Sequence, residues 1–321
     1  MTARGLLRAR PPGEAGAVDR EPVGSGWVLV QPDGGWCLDN VGLVRTGGAL
    51  VVVDTMANAR RNDHLLAVVD DLRGDREVVT VNTHFHGDHT FGNDRLARRG
   101  PVVSTATTAD LIDASGTALC GIWPASDWGD ITVRRPDVLV GGDGEVPGTG
   151  GELLHLELRD AHTPSDLALW DPARRVLYAG DVVMSGVTPF VLMGSVRGCV
   201  AALERLAGLG AEVVVPGHGA VGGPGLIARN LEYLRWCLGL ADDAVRAGLT
   251  PLEAAHRAGP HPWDDWVDRE RLVGNLHAAT AEVQGRPPDL AAALADMAAF
   301  GPDSMTNGIE PAIPPAEGER R

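Results

Sequence analysis

The sequence predicts an α/β sandwich: two β-sheets packed face to face, covered by helices and closed by a helical C-terminal cap. Three observations carry this. Short, β-branched apolar runs bounded by Gly and Asp alternate with segments of helical spacing. The residues richest in chemistry fall just beyond the ends of those runs. The last third of the chain holds amphipathic segments with prolines at first-turn positions instead of strands.

In chain order, residues 1–26 are rich in Gly, Pro, Arg and Glu without hydrophobic period, and a mobile extension is expected there. Residues 27–30, 41–44 and 49–53 read as strands of an opening meander, broken at Gly34-Gly35 and Gly47-Gly48. Leu65, Leu66, Val69 and Leu72 give 58–72 helical spacing. The β-branched strand 77–81 then runs straight into THFHGDH (83–89). Further strands are expected at 102–103, 131–133, 138–140, 153–158, 167–170, 176–179 and 212–215, with a helix at 200–209. These elements make a core domain, 27–223. Helices at 226–245, 251–258 and 268–284 form a cap spanning 224–300, and 301–321 is expected to be a mobile tail.

Composition excludes several functions. The formal net charge is −15 with no basic tract, so the chain lacks the footprint that draws proteins to phosphate backbones, and nucleic acid is not an expected partner. No run approaches the roughly 18 apolar residues needed to span a bilayer, and no export signal is read, so no membrane partner is expected. The four cysteines, Cys37, Cys120, Cys199 and Cys237, form no C-x-x-C pair, which suggests neither disulfides nor a thiolate zinc site and points to a reducing cytoplasm. All 28 basic residues are arginine. Without lysine there is no Schiff base and no P-loop, so carbanion chemistry here requires an electrophile such as a metal. Gly217, Gly219 and Gly222 spell a formal G-x-G-x-x-G, but Pro224 delays the helix and His218 has a better use.

That use is metal binding. His84 and His86 are two apart, which places both rings on one side of an extended segment, whereas on a helix they would diverge by about 200°. Gly87 permits a bend that aims Asp88 and His89 at a second ion. His162 sits in the turn-forming run DAHTPSD (160–166), Asp181 follows a strand in AGDVV, and His218 lies between Gly217 and Gly219. Any one of these could be an ordinary polar residue. Five histidines and two aspartates so placed can hold two metal ions, which polarise carbonyls and lower the pKa of bound water to about 7.

THFHGDH, the single His162, Gly-Asp at Asp181 and Gly-His at His218 resemble the metallo-β-lactamase superfamily, whose fold is an αββα sandwich. The resemblance implies that His84, His86 and His162 bind one zinc, that Asp88, His89 and His218 bind the other, and that Asp181 bridges them. It makes Asp88 and Asp181 the catalytic carboxylates, acting with a metal-bound hydroxide. Asp54, in VVVDT, matches a position that supports the metal loop; read alone, it is equally a turn residue at a strand end. Two Zn2+ are the expected cofactors, with iron or manganese open because the same donors accept them.

Further runs narrow the match: GGWCLDN (34–40), HTFGN (89–93), GIWPASDWGDI (121–131), GDVVMSGVTPF (180–190), YLRW (233–236) and RLVGNLHAA (271–279) resemble the metal-dependent cyclases of bacterial aromatic polyketide pathways. Within them the chain resembles the actinorhodin-type second-ring cyclase/thioesterase family, and the likeness covers about 27–284. It implies intramolecular aldol closure and dehydration of a poly-β-ketone held on an acyl carrier protein, with thioester hydrolysis as a second outcome. A flat intermediate needs an apolar pocket; Trp36, Trp123, Trp128, Met184 and Phe190 are its expected lining, with Phe91 and Met193 as further candidates. An acidic carrier would need local positive charge, for which Arg95/Arg98/Arg99, Arg134/Arg135 and Arg174/Arg175 are the candidates. A homo-oligomer is left open. Two rivals are a simple metallo-hydrolase of the same fold, acting on thioesters or lactones, and a non-catalytic carrier-docking subunit.

Overall fold

In the strand Ala49–Val53 every side chain is buried, yet alternate residues enter different cores. Ala49, Val51 and Val53 join Leu167, Leu169 and Tyr178 between the two sheets, while Leu50 and Val52 pack outward with Leu65, Val69 and Leu72 of a covering helix. A strand with period 2 and both faces covered must be apolar at every position, which is why VVV runs recur in this chain.

The computed structural model describes residues 18–31 and 33–309. Seven strands form the first sheet in sequential order: β1 (Asp19–Val23), β2 (Gly26–Val30), β3 (Val41–Arg45), β4 (Ala49–Val53), β5 (Glu77–Val81), β6 (Val102–Thr105) and β7 (Val138–Val140). β1 to β4 are antiparallel, as the expected meander requires, and β4 to β7 are parallel. The second sheet has the order β12-β11-β10-β9-β8, from β8 (Gly144–Glu145), β9 (Leu154–Arg159), β10 (Ser165–Asp171), β11 (Val176–Tyr178) and β12 (Val213–Val215).

Helix α1 (Ala59–Arg73) covers the first sheet; the Asn58 side chain caps it by accepting from Arg61 N. The short helices α2 (Gly87–Thr90) and α3 (Asn93–Leu96) follow the β5 ligand loop, and α4 (Ala106–Ser115) and α5 (Ala118–Ile122) lie between β6 and β7. Helix α6 (Val196–Ala207) starts at Ser195, whose hydroxyl accepts from Gly198 N. The C-terminal helices are α7 (Gly225–Ala247), α8 (Pro251–Arg257), α9 (Arg271–Val283) and α10 (Leu290–Ala299). Leu203, Leu206, Ile227, Leu234 and Leu276 of these helices share one core with Leu156, Leu158, Ala168 and Trp170 on the outer face of the second sheet. The layers are therefore helix, sheet, sheet, helix: an αββα sandwich with added C-terminal helices. Among the described residues no helix is long and apolar enough to cross a membrane.

Four expectations are corrected. The supposed mobile extension contains β1, which pairs with β2 from Asp19↔Val30 to Val23↔Gly26 through a turn at Gly24 and Ser25; residues 1–17 lie outside the described residues. The supposed tail is anchored over 301–309: Gly308 N donates to Trp36 O at 3.1 Å, Arg61 donates to Gly308 O at 2.8 Å, and Ile309 is buried. Residues 310–321 lie outside the described residues. No strand forms at 131–133, because β6 takes its partner only from Val138 onward, after Pro136 and the reciprocal bonds between Asp137 and Val102. Helices α4 and α10 were not expected; both are capped by a side chain, Thr105 and Asp289 respectively.

Candidate metal centre

Each ligand-bearing segment leaves a strand or a strand–strand connection at one edge of the sandwich. His84, His86, Asp88 and His89 follow β5, His162 joins β9 to β10, Asp181 follows β11 in a single 3-10 turn, and His218 follows β12. The structure brings all seven together in two groups: His84, His86, His162 and Asp181, and Asp88, His89 and His218, with donor atoms within 4.8 Å of one another in each. Asp181 stands between the groups. Its Oδ2 is 3.9 Å from His84 Nε2, 3.6 Å from His162 Nε2 and 3.4 Å from His218 Nε2, while its Oδ1 is 3.2 Å from His89 Nε2. Asp88 Oδ2 is 3.6 Å from His218 Nε2 and 3.9 Å from His89 Nε2.

The outer ring nitrogens fix the tautomers. Thr83 Oγ1 donates to Asp54 Oδ2 at 2.7 Å, so at 3.0 Å from His84 Nδ1 it accepts from that ring. His162 Nδ1 donates to the carbonyl of Phe190, His218 Nδ1 to that of Gly34, and His89 Nδ1 to Asp54 Oδ2 at 3.0 Å. Four Nε2 atoms are thereby turned inward. His86 Nδ1 lies 3.0 Å from both His84 Nε2 and His162 Nε2, and a single N–H there could satisfy only one of them. His89 Nε2 and Asp181 Oδ1 are sealed from solvent without a hydrogen-bond partner. A cation resolves all of these contacts, so the residues fit two metal ions.

Electrostatics agree. Burial holds the His84 and His86 imidazoles well below the usual histidine range and His162 down at about 4, which keeps them neutral as ligands must be. Burial also opposes charge on His89, but Asp181, Asp88 and Asp54 together hold it well above that range. Asp181 is itself held well below the carboxylate range: burial pushes it up, and His89, His218 and His84 outweigh that. Three buried carboxylates, Asp54, Asp88 and Asp181, thus converge on the histidine cluster.

Asp54 proves to be both things the sequence allowed. It is a strand-end residue at φ +65°, and its Oδ1 accepts the backbone N–H of Thr83 at 2.7 Å, tying down the start of the ligand loop. Gly87 acts differently from expectation. Its φ is ordinary, and what it supplies is space: a Cβ there would stand 2.3 Å from Phe91 Cζ.

His86, Asp88, Asp181 and His218 line a cavity of about 320 Å³. Its walls include Trp36, Phe91, Trp123, Phe190 and Met193, all candidates from the sequence. Trp36 meets Phe190 edge-on at 5.0 Å, and the ring of Trp123 tilts onto it at 5.5 Å. Trp128 and Met184 lie off the cavity. Trp128 backs the wall, edge-on to Phe91 at 6.2 Å and donating to Trp123 O, while Met184 is buried where its backbone bridges to His218 and bonds Asn230. Residues the sequence reading missed include Cys37, Phe85, Leu192, Arg271 and Met305, together with two cavity-lining stretches at 115–122 and at Leu290 and Leu294. A second hollow of about 500 Å³ in the cap, lined by His256, His261, Trp263 and Arg269 among others, contains none of the seven ligands.

The arginine candidates for carrier docking each have an acidic neighbour: Arg95 Asp63, Arg98 Asp94, Arg99 Asp70, Arg134 Asp137, Arg135 Asp110, Arg174 Asp171 and Arg175 Glu212. None of these clusters forms an uncompensated positive patch.

A helix–sheet–sheet–helix sandwich carrying paired His/Asp donor groups defines a dinuclear metallo-hydrolase type of protein. The chain belongs to the metallo-beta-lactamase superfamily, whose family model matches residues 34–218, from Gly34, whose carbonyl accepts from His218, to His218 itself. A hydroxyacylglutathione hydrolase of Anaeromyxobacter dehalogenans (strain 2CP-C) is 31% identical over 243 residues, covering 71% of this chain and 78% of that protein. The acyl-coenzyme A thioesterase MBLAC2 of Homo sapiens is 29% identical over 205 residues, 56% of this chain and 72% of its own length. Among solved structures, DIM-1 metallo-beta-lactamase matches with a TM-score of 0.54 at 19% identity over 68% of this chain and 97% of that one, a likeness of fold.

Proposed function

We propose that this protein is a zinc-dependent cyclase that closes a ring of a carrier-bound poly-β-ketone thioester and then releases the product by thioester hydrolysis. The observation that carries the reading is the cavity: an aromatic-walled space whose floor is Asp88, Asp181, His86 and His218. A flat, apolar guest seated there is held against the metal ligands. Zinc, when bound, supplies Lewis acidity toward carbonyl oxygens.

The chain's own residues do the rest. Trp36, Phe190 and Trp123 present ring faces and edges that orient a planar polyketone, and Phe91, Leu192 and Met193 exclude bulk water. Asp88 faces the cavity, where its carboxylate receives the proton that leaves a methylene flanked by carbonyls. The carbanion attacks a second carbonyl of the same chain; a C–C bond forms as the C=O π bond opens to an alkoxide, which takes the proton back from Asp88, and loss of water makes the ring aromatic. Hydrolysis of the thioester consumes a water and frees the acid.

A second reading is a plain acyl-thioester hydrolase, favoured by the names of the thioesterase and hydroxyacylglutathione hydrolase relatives. Product analysis of a reconstituted polyketide synthase, with and without the protein, separates the two. New cyclised product only in its presence supports the cyclase; unchanged products together with efficient hydrolysis of a simple aliphatic thioester support the hydrolase. Full activity after rigorous chelation would remove both.

A further inference from the structure

We propose that the cavity contains a second recognition point, Arg271, whose guanidinium donates to a neutral carbonyl oxygen of a flat substrate lying against Trp36. The proposal rests on the polyketone reading of the site and names the group that the far end of the substrate must present.

Arg271 opens α9 in the C-terminal cap, outside the part of the chain that the family model matches. Its side chain is 2% exposed, yet it lines the same cavity as Asp181 and His218. The guanidinium carbon sits 3.9 Å over the Trp36 ring, a cation–π contact that fixes its plane. Of its five N–H groups, one on Nη1 reaches Thr188 O at 3.3 Å and Nη2 lies 2.8 Å from Asp268 Oδ2. Nε is sealed from solvent with no partner among the described residues, and the proposal assigns the remaining N–H groups on Nη1 and Nη2 to the cavity that Arg271 lines. A buried arginine kept only for structure would spend its donors on the protein, because unmet donors there are costly.

The charge balance selects the guest. Asp268 pairs with the guanidinium directly, and Glu270 places its carboxylate at the edge of the same indole, 2.6 Å from Trp36 Nε1. The cation is already compensated, so an anionic guest would face two carboxylates while a neutral oxygen meets only spare donors. A ketone or enol oxygen on a planar ring system satisfies both the donors and the stack.

Equilibrium dialysis of the metal-loaded full chain against three naphthalene probes tests this: 2-acetylnaphthalene, 2-ethylnaphthalene and 2-naphthoate. The ketone should bind roughly 10- to 100-fold tighter than the alkyl probe, the range expected for a hydrogen bond to a charged donor. Arg271→Met should bring that ratio close to one. Retention of the ratio in Arg271→Met overturns the proposal, as does naphthoate binding tightest to the wild type and losing most in the variant, which would make this an anion site. If Arg271→Met does not fold, Arg271→Gln, whose shorter amide cannot span from Thr188 to the cavity, should show the same loss, and a preserved preference would be equally fatal. Binding needs no turnover. A chain that shows this pattern but cyclises nothing keeps the Arg271 subsite and loses the cyclase reading.

Discussion

Gly217 and Asp181 compete for one space: a Cβ at residue 217 would stand 1.9 Å from Asp181 Oδ1 and 2.8 Å from its backbone nitrogen. The carboxylate that lies between the two donor groups owes its position to a missing methyl on the neighbouring strand end. Gly217→Ala should therefore push Asp181 out of register with both groups and cost about 1–3 kcal/mol of stability through overpacking. Elemental analysis of the folded variant should find fewer metal ions per chain than in the wild type. A full complement with unchanged stability would show that Asp181 has room to move.

Asp54 Oδ2 bonds His89 and Thr83, and its Oδ1 bonds the Thr83 backbone. In Asp54→Ala three buried donors lose their acceptor and His89 loses the group that orients its ring. Loss of such a supporting partner typically weakens metal affinity about 10- to 100-fold. Competition with a chromogenic chelator measures this directly. Equal affinity in Asp54→Ala and the wild type would reduce Asp54 to the turn residue that its φ of +65° also makes it.

The two examples mark what the sequence could say. His84, His86, Asp88, His89, His162, Asp181 and His218 were legible because each combines a metal-binding chemistry with a strand end, and both signals are local. The core strands were legible for the same reason. Trp128 and Met184 were misplaced because nearness in sequence to a ligand does not decide which side of a wall a large apolar residue occupies; burial explains both positions equally well. Arg271 and Met305 were missed as cavity residues because they reach the site only through long-range packing of the cap and of 301–309. The local hints for Arg271 were its place at the head of the run RLVGNLHAA and its i,i+3 spacing from Asp268, and neither says that it reaches the cavity. β1 was hidden by composition: a Gly/Pro-rich average over 1–26 masked a two-residue turn between Val23 and Gly26.

Acidity should act on the metal-free protein through His162. Burial lowers its imidazole to about 4, against about 6.5 in an unfolded chain. Between these values the unfolded state holds the proton that the folded state refuses, so the residue's contribution to stability falls as pH drops from about 6.5 toward 4 and is level outside that window. The full difference is ~3 kcal/mol by that shift. Other buried groups titrate too, so the measurement is a difference: urea unfolding of metal-free wild type and His162→Asn across this range. Wild type should lose ground to the variant as pH falls. A constant gap between them would mean that the imidazole is not held neutral.

Trp123 links the cavity wall to the anchored C-terminal segment. Its ring tilts onto Trp36 at 5.5 Å, its Nε1 donates to Met305 O, and its own carbonyl accepts from Trp128 Nε1 at 3.0 Å. None of these contacts touches a metal ligand. Trp123→Ala enlarges the cavity and removes one of the hydrogen bonds that hold residue 305, whose N–H still donates to Glu270 Oε1 at 3.0 Å; under the proposed cyclase function, a flexible polyketone then folds in more than one register before its ring closes. The expected result is a wider product distribution with metal content unchanged, and a stability loss below the roughly 3–5 kcal/mol of a fully buried Trp→Ala exchange, because Trp123 is only partly buried. Trp123→Phe, which keeps an aromatic wall but drops the hydrogen bond to Met305, should keep most of the wild-type product. Chromatographic profiles of the two variants beside their metal analyses make the test. An unaltered profile in Trp123→Ala with normal metal would place the substrate elsewhere in the molecule.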